Sequence, residues 1–293
     1  MNFFLGWSCI FSLLFLISLS SACLPSKKLT VGATATLLEG VARSSYRQSD
    51  LRLLREGMPA YLMLLDGMIE VWPDNEQLLI TAAQTYSSFA SLFVEEQDKE
   101  YAKVLFGKGK DYALKSLEKK GVKDPLQSSF EEFEKSLKAL GKKDVLYLFW
   151  GATCWANWIR TNLDSVEALA ELPKVEWMMK RVLELDEGYY YGGAHLFMGI
   201  WLASRPKIAG GDLKKAQDHF LKALDFGKGK FLMAYVYYAN YYARQASEKE
   251  LFISTLQKVL ETPADVSPDL TLLNTEAKRE AKELLDHVEE YFE

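Results

Sequence analysis

KKAQDHFLKAL, residues 214–224, decides how the rest of the chain is read. Ala216, Phe220 and Ala223 have the spacing A-x3-F-x2-A. On a helix that spacing puts two small side chains and one ring on a single face, where a second helix approaches closely. The segment before it offers a matching small residue at Met198-Gly199. Similar places recur at Ala82-Ala83 with Tyr86, at Ala152-Thr153 with Ala156, and at Ala234-Tyr235 with Tyr238.

This is the pattern of the second helix of a tetratricopeptide unit, a helix pair of about 34 residues. The recurring places are 70, 46 and 36 residues apart, so the units are degenerate and carry insertions. EVWPDN (70–75) and LELDEGY (183–189) read as turns between units, the first with the expected proline and the second with Glu187 in its place. The alternative is an irregular helical bundle in which the same small residues are ordinary core positions.

Strand signals are nearly absent: no sustained alternation and no Asn-Gly or Asp-Gly turn. Gly and Pro fall between periodic segments. Helices are predicted at 32–43, 50–71, 75–95, 98–119, 125–139, 143–161, 164–185, 189–204, 212–225, 230–245, 248–261 and 268–291. The predicted fold is all-α, a tetratricopeptide-like helical-repeat solenoid of about a dozen helices with degenerate repeats.

The 293 residues carry 26% charged and 49% apolar side chains, a globular composition. Net charge is −5 and no basic block stands out, which argues against a long contact with nucleic acid. The three cysteines, Cys9, Cys23 and Cys154, cannot build a disulfide framework.

Residues 3–19 form an apolar run, followed by Ser20, Ser21, Ala22 and then Cys23. The run has the length of a secretory signal, and residues 3–22 would also just reach across a bilayer, which takes about 20 residues. Small residues before a cysteine resemble a lipoprotein signal, although Ser20 stands where Leu is usual. Plain secretion and an uncleaved anchor are the alternatives. The expected organisation is a signal peptide at 1–22, an anchor cysteine and short linker at 23–31, and one helical-repeat domain at 32–293. Cys23 is the expected lipidation site, and several acyl chains would make the membrane anchor stable.

Segments 143–161 and 230–245 are apolar almost all round, so both are expected to be buried on most sides. They carry Trp150, Trp155 and Trp158, and Tyr235, Tyr237, Tyr238, Tyr241 and Tyr242. Two readings stay open: a thick aromatic core with satisfied amides, or a groove lined by aromatics and a few polar groups. By analogy with tetratricopeptide proteins, first helices line the concave surface. The candidate groove or ligand-lining residues are Gln84, Ser87, Tyr147, Trp150, Asn157, Trp158, Arg160, Tyr190, His195, Tyr238, Asn240, Tyr241 and Arg244, with Ser88 beside them. Arg160, Arg205 and Arg244 stand near helix ends, where they favour the dipole. A clamp for a ligand carboxylate is the sharper reading of the three. His195 reads first as a packed residue.

No catalytic constellation is found. His195, His219 and His287 lack metal-ligand spacing, Gly192-Gly193 and Gly210-Gly211 follow no strand, and no G-x-S-x-G elbow occurs. No enzyme activity, cofactor or metal is expected.

Residues 32–75, GYYYGGAHLFMG (188–199), RPKIAGGDLKKAQDHF (205–220), FLMAYVYYANYYARQ (231–245) and PADVSPDLTLLN (263–274) together resemble the TatT component of tetratricopeptide-associated TRAP transporters. The resemblance spans nearly the whole chain after the apolar run. It implies a bacterial periplasmic lipoprotein, all-helical, that can form trimers with a central pore. It also implies docking with a TRAP-type substrate-binding protein, whose ligand can be hydrophobic. The expected function is a lipid-anchored accessory of such a transport system. An envelope assembly scaffold using the repeat groove is the alternative. Leu24 after the cysteine weakly favours the outer membrane.

Overall fold

The computed structural model describes residues 27–292, and the expected signal segment and Cys23 lie outside them. Among the described residues there is no strand, and no helix is long and apolar enough to cross a membrane. In chain order the helices are α1 (Lys27–Tyr46), α2 (Leu51–Val71), α3 (Glu76–Phe89), α4 (Lys99–Lys119), α5 (Phe130–Lys138) and α6 (Val145–Arg160). They are followed by α7 (Val166–Ala170), α8 (Leu172–Asp186), α9 (Tyr189–Ala203) and α10 (Leu213–Gly227). The last four are α11 (Met233–Tyr237), α12 (Lys249–Glu261), α13 (Thr271–Asp286) and α14 (Val288–Tyr291).

Local chemistry sets most boundaries. The side chains of Asp50, Asn75, Asp98, Ser165 and Asp212 each accept the backbone N–H that opens the next helix. Ser129 and Glu132 close a reciprocal capping box at the start of α5. The predicted helix 125–139 therefore begins only at Phe130. The predicted helix 164–185 is two, because Pro173 starts a fresh helix after the turn at Glu171. Helix α1 begins at Lys27, so part of the expected linker is already helical.

Two long predicted helices change their winding. After Phe89 the chain continues as a π-helical turn, Ala90–Val94, and after Tyr237 as another, Tyr238–Ala243. A π turn adds a residue per turn and re-aims the side chains beyond it; such turns gather at functional sites.

Packing follows the small residues. Phe220 of α10 lies flat on Gly199 of α9, where a Cβ would sit 3.0 Å from its ring. Ala216, Phe220 and Ala223 are fully buried. Gly109 of α4 likewise lets that helix press on the backbone of α3 at Ala83. The pairs α3–α4, α4–α6, α6–α8, α9–α10 and α12–α13 each pack side by side.

The core has three parts: one around α4, α6 and α8, one around α10 to α13, and one around α2 to α4. Leu272 of α13 belongs to the third part, with residues more than 160 positions earlier. Arg47 and Asp269 pair at 2.7 Å beside it. The end of the chain thus packs back against its beginning.

Candidate functional site

Tyr190 packs against two of the three core parts and borders a cavity walled by the third. The segment Tyr190-Tyr191-Gly192 takes left-handed backbone, with φ of 48°, 58° and 74°. For two tyrosines this is costly, and surrounding packing has to impose it. The helical run of α9 therefore starts in earnest only at Gly193, where a Cβ would lie 2.6 Å from the Phe149 ring. This tight approach and the turn together throw Tyr190 inward. Its ring lies 5.1 Å from Trp150, 5.4 Å from Phe149 and 6.1 Å from Phe231.

The Tyr190 phenol is deep in the molecule, and burial pushes its pKa up. Yet the residue keeps part of its surface open. Tyr190 lines an internal cavity, together with Tyr46. Burial pushes the Tyr46 phenol up as well. We refer to this space as the chamber.

The chamber is an apolar cavity walled by Tyr46 of α1, Met58 and Tyr61 of α2, Phe89, Leu92, Tyr190, and Leu272 and Leu273 of α13. Ser88 and Thr85 are its polar edge. About 50 Å³ of it is free to the centre of a water-sized sphere, room for a few waters or part of an alkyl chain. Tyr61 donates to the Leu38 carbonyl at 3.2 Å, which holds α1 over this cavity.

A polar group of residues stands outside the lining of this cavity. Both guanidinium nitrogens of Arg160, at the end of α6, bind the Glu95 carboxylate, one of them at 2.8 Å. Burial works against the Arg160 charge, but Glu95 outweighs it and the pKa is raised. Tyr237 and Tyr241, with ring centres 5.8 Å apart, share this region with Arg160 and Glu280 of α13. Burial, and then Glu276, push the Glu280 carboxyl up to about 7.

The other residues singled out in the sequence divide into three places. Asn157 donates to Ser87 at 2.9 Å, joining α6 to α3, and Gln84 is half-buried one turn before Ser87. Tyr147, Trp150 and Tyr238 are buried. Lys120 lies 4.3 Å over the Tyr147 ring, and Tyr238 stacks on Tyr242 at 5.1 Å. Trp158 is half-buried, with the Lys110 ammonium 3.2 Å above its ring.

Asn240, Tyr241 and Arg244 line a separate, wide pocket of about 520 Å³ with Ser204, Gln245 and Tyr291. There Arg244 covers the Tyr291 ring at 3.8 Å. Arg205 instead lies 3.4 Å over Trp201. His195 is buried, its Nδ1 2.8 Å from Nδ1 of His219 and its Nε2 3.3 Å from Glu187. Burial lowers the pKa of both histidines. One shared proton between the two Nδ1 atoms satisfies that geometry.

Sequence reasoning left out Glu280, Tyr46, Tyr61 and the leucines of α13. A signal for Glu280 exists: it interrupts the stripe Leu273, Ala277, Leu284 at helical spacing. Tyr237 was visible as the partner of Tyr241 four residues on. Among the described residues no group of three His, Cys, Asp or Glu side chains could hold a metal ion.

A family model described as TRAP transporter T-component matches residues 47–292. No curated protein matches the chain.

Proposed function

Because the chain belongs to the TRAP transporter T-component family, an accessory of TRAP systems, we propose that it is the non-catalytic, periplasmic component that docks the substrate-binding protein. The chamber holds a ligand with a hydrophobic part during that encounter. The observation that carries this reading is the apolar cavity walled by Tyr46, Tyr61 and Tyr190, with Thr85 and Ser88 at its edge. A core closes around its rings, whereas a ligand site keeps aromatic wall and a few polar groups exposed.

Anchoring by an acylated Cys23 would keep the encounter at the membrane and raise the effective concentration of the partner there. A Cys23→Ala chain would then leave the membrane fraction.

A second copy of the chain fits the outer side of α2. Leu53, Gly57, Ala60, Leu64, Gly67 and Val71 are all exposed and follow one another at steps of four and three. That is the seam spacing of helix against helix, and the small residues permit close approach.

The test is capture. Residues 24–293, immobilised, should retain a TRAP-type substrate-binding protein from the source cells through a moderate-salt wash. Recovery of envelope-assembly proteins with no transporter component would overturn the reading in favour of a scaffold.

A further inference from the structure

His195 and His219 meet between α9 and α10, Nδ1 to Nδ1 at 2.8 Å, and the His195 side chain is 3% exposed. A contact of that length needs one proton between the two nitrogens. The other nitrogen of His195, Nε2, lies 3.3 Å from the Glu187 carboxylate, an acceptor, and so carries a proton. This pattern assigns both neutral rings. His195 donates from Nε2 and accepts at Nδ1. His219 donates from Nδ1, and its Nε2 has no partner among the described residues.

Protons added by acid therefore have an order. The first goes to His219 Nε2 and keeps both hydrogen bonds. The second has only His195 Nδ1 left. There it would set two N–H groups against each other at 2.8 Å, so the contact has to open. The surrounding charge agrees. Glu187, in the turn before α9, and Asp218 and Lys222 of α10 act on the pair, a net −1 that balances one added proton and not two. Helix α8, helix α11 and the π turn at Tyr238–Ala243 also pack on α9, and no charged group of theirs acts on the pair.

The pair also steadies its surroundings. The His195 ring stacks on Phe226 of α10, with 5.9 Å between centres and 12° between planes. Phe226 and Ala223 close in turn on Gly192, where a Cβ would stand 3.1 Å from both. This is the packing that imposes left-handed backbone on Tyr190 and Tyr191. Tyr190 lines the chamber.

We propose that His195 and His219 form an acid-sensitive latch. Closed at neutral pH, it keeps α10 on the turn that sets Tyr190 in the chamber wall. Opened by the second proton, it frees that turn, and the chamber releases its ligand. The release rests on the chamber being a ligand site; the latch itself does not.

Burial, before any neighbouring charge, holds both imidazoles below their ordinary pKa. The folded pair thus binds fewer protons than the unfolded chain. Its contribution is complete above the unfolded value of about 6.5 and is lost as pH falls through the lower folded values.

The experiment has two readouts on residues 24–293. Ring-nitrogen NMR follows the three histidines from pH 8 to pH 5. His287, exposed and pushed up by the Glu283 carbonyl, is the internal reference. His287 should titrate first, His219 next and His195 last, and at pH 8 His195 should show the Nε2–H tautomer and His219 the Nδ1–H tautomer. Titration of His195 together with His287, or one tautomer for both rings, would overturn the latch. The second readout is the fluorescence of N-phenyl-1-naphthylamine, an uncharged apolar probe, at pH 7.5 and pH 5, with circular dichroism confirming that the helices persist. Affinity should fall about tenfold at pH 5, the size of a typical coupling between two sites. His219→Gln, whose amide can donate or accept without titrating, should bind the probe equally at both pH values. Equal affinities in the unmodified chain would overturn the coupling to the chamber, whatever the variant does. Absence of probe binding at both pH values would overturn the chamber reading, and the NMR order would still decide the latch.

Discussion

Arg279 and Glu96, 183 residues apart in the chain, are joined by an ion pair of 2.5 Å. The same guanidinium holds Glu276, whose side chain is 9% exposed, and Glu283. One side chain therefore ties the last long helix to the loop after α3.

Arg279→Met should destabilise the fold by about 1–2 kcal/mol. An exposed pair alone would contribute less, but here the near-buried Glu276 is left without its cation. Urea unfolding at pH 7 measures this. An unchanged midpoint would mean that the ring closure rests on Leu272 and its neighbours alone.

Glu280→Gln should change the pH dependence of stability. The folded-state pKa of Glu280 is raised, so its contribution is fully present below the unfolded value and is lost as pH rises to about 7. The variant should lack that loss and be more stable than the parent at pH 8 by roughly 1–3 kcal/mol. Urea midpoints compared at pH 5 and pH 8 give the sign. A variant equally or less stable at pH 8 would show that Glu280 is satisfied as a carboxylate.

Gly192→Ala should cost about 1–3 kcal/mol. Its φ of 74° disfavours a side chain, and a Cβ would stand 3.1 Å from Ala223 Cα and from Phe226. Because this turn aims Tyr190, the variant should also weaken ligand binding in the chamber. Unfolding and calorimetry on the same sample check both. Full stability would mean that the turn is not held as the packing indicates.

Leu64→Glu addresses the outer seam of α2. Leu64 is 46% exposed, so the change should leave circular dichroism and unfolding unaltered. Light scattering should show the parent as an oligomer and the variant as a single chain. Equal masses would place the contact between copies elsewhere.

Much of the architecture was legible because its signals are local. The cap residues before α2, α3, α4 and α10 and the small face of α10 set helix number and pairing, and each lies within a few residues of its effect. What escaped depends on contacts distant in sequence. The π turns at Ala90–Val94 and Tyr238–Ala243 arise in segments whose composition reads as ordinary helix. The left-handed turn at Tyr190 is imposed by Phe149 and Phe226, which no local pattern announces.

The chamber was legible only in outline. Aromatic load and an inner-helix register selected Tyr190, which lines it, and also Arg160 and Tyr241, which do not. The same signals selected Tyr147 and Tyr238, which are buried. Periodicity separates inside from outside, but it does not separate a packed interior from a lined one. Glu280 entered through closure of the chain on itself, which brings α13 across from α6. That relation is carried by Arg279, Leu272 and Asp269 together rather than by any single segment.

The central claim is the encounter with a TRAP substrate-binding protein. Its most direct measurement is surface plasmon resonance between residues 24–293 and the purified substrate-binding protein of the same source, at an ionic strength of about 0.15 M. The account predicts saturable binding that survives this salt. It further predicts no such binding to a periplasmic binding protein from an unrelated uptake system. No saturable response, or an equal response to the unrelated protein, would contradict it.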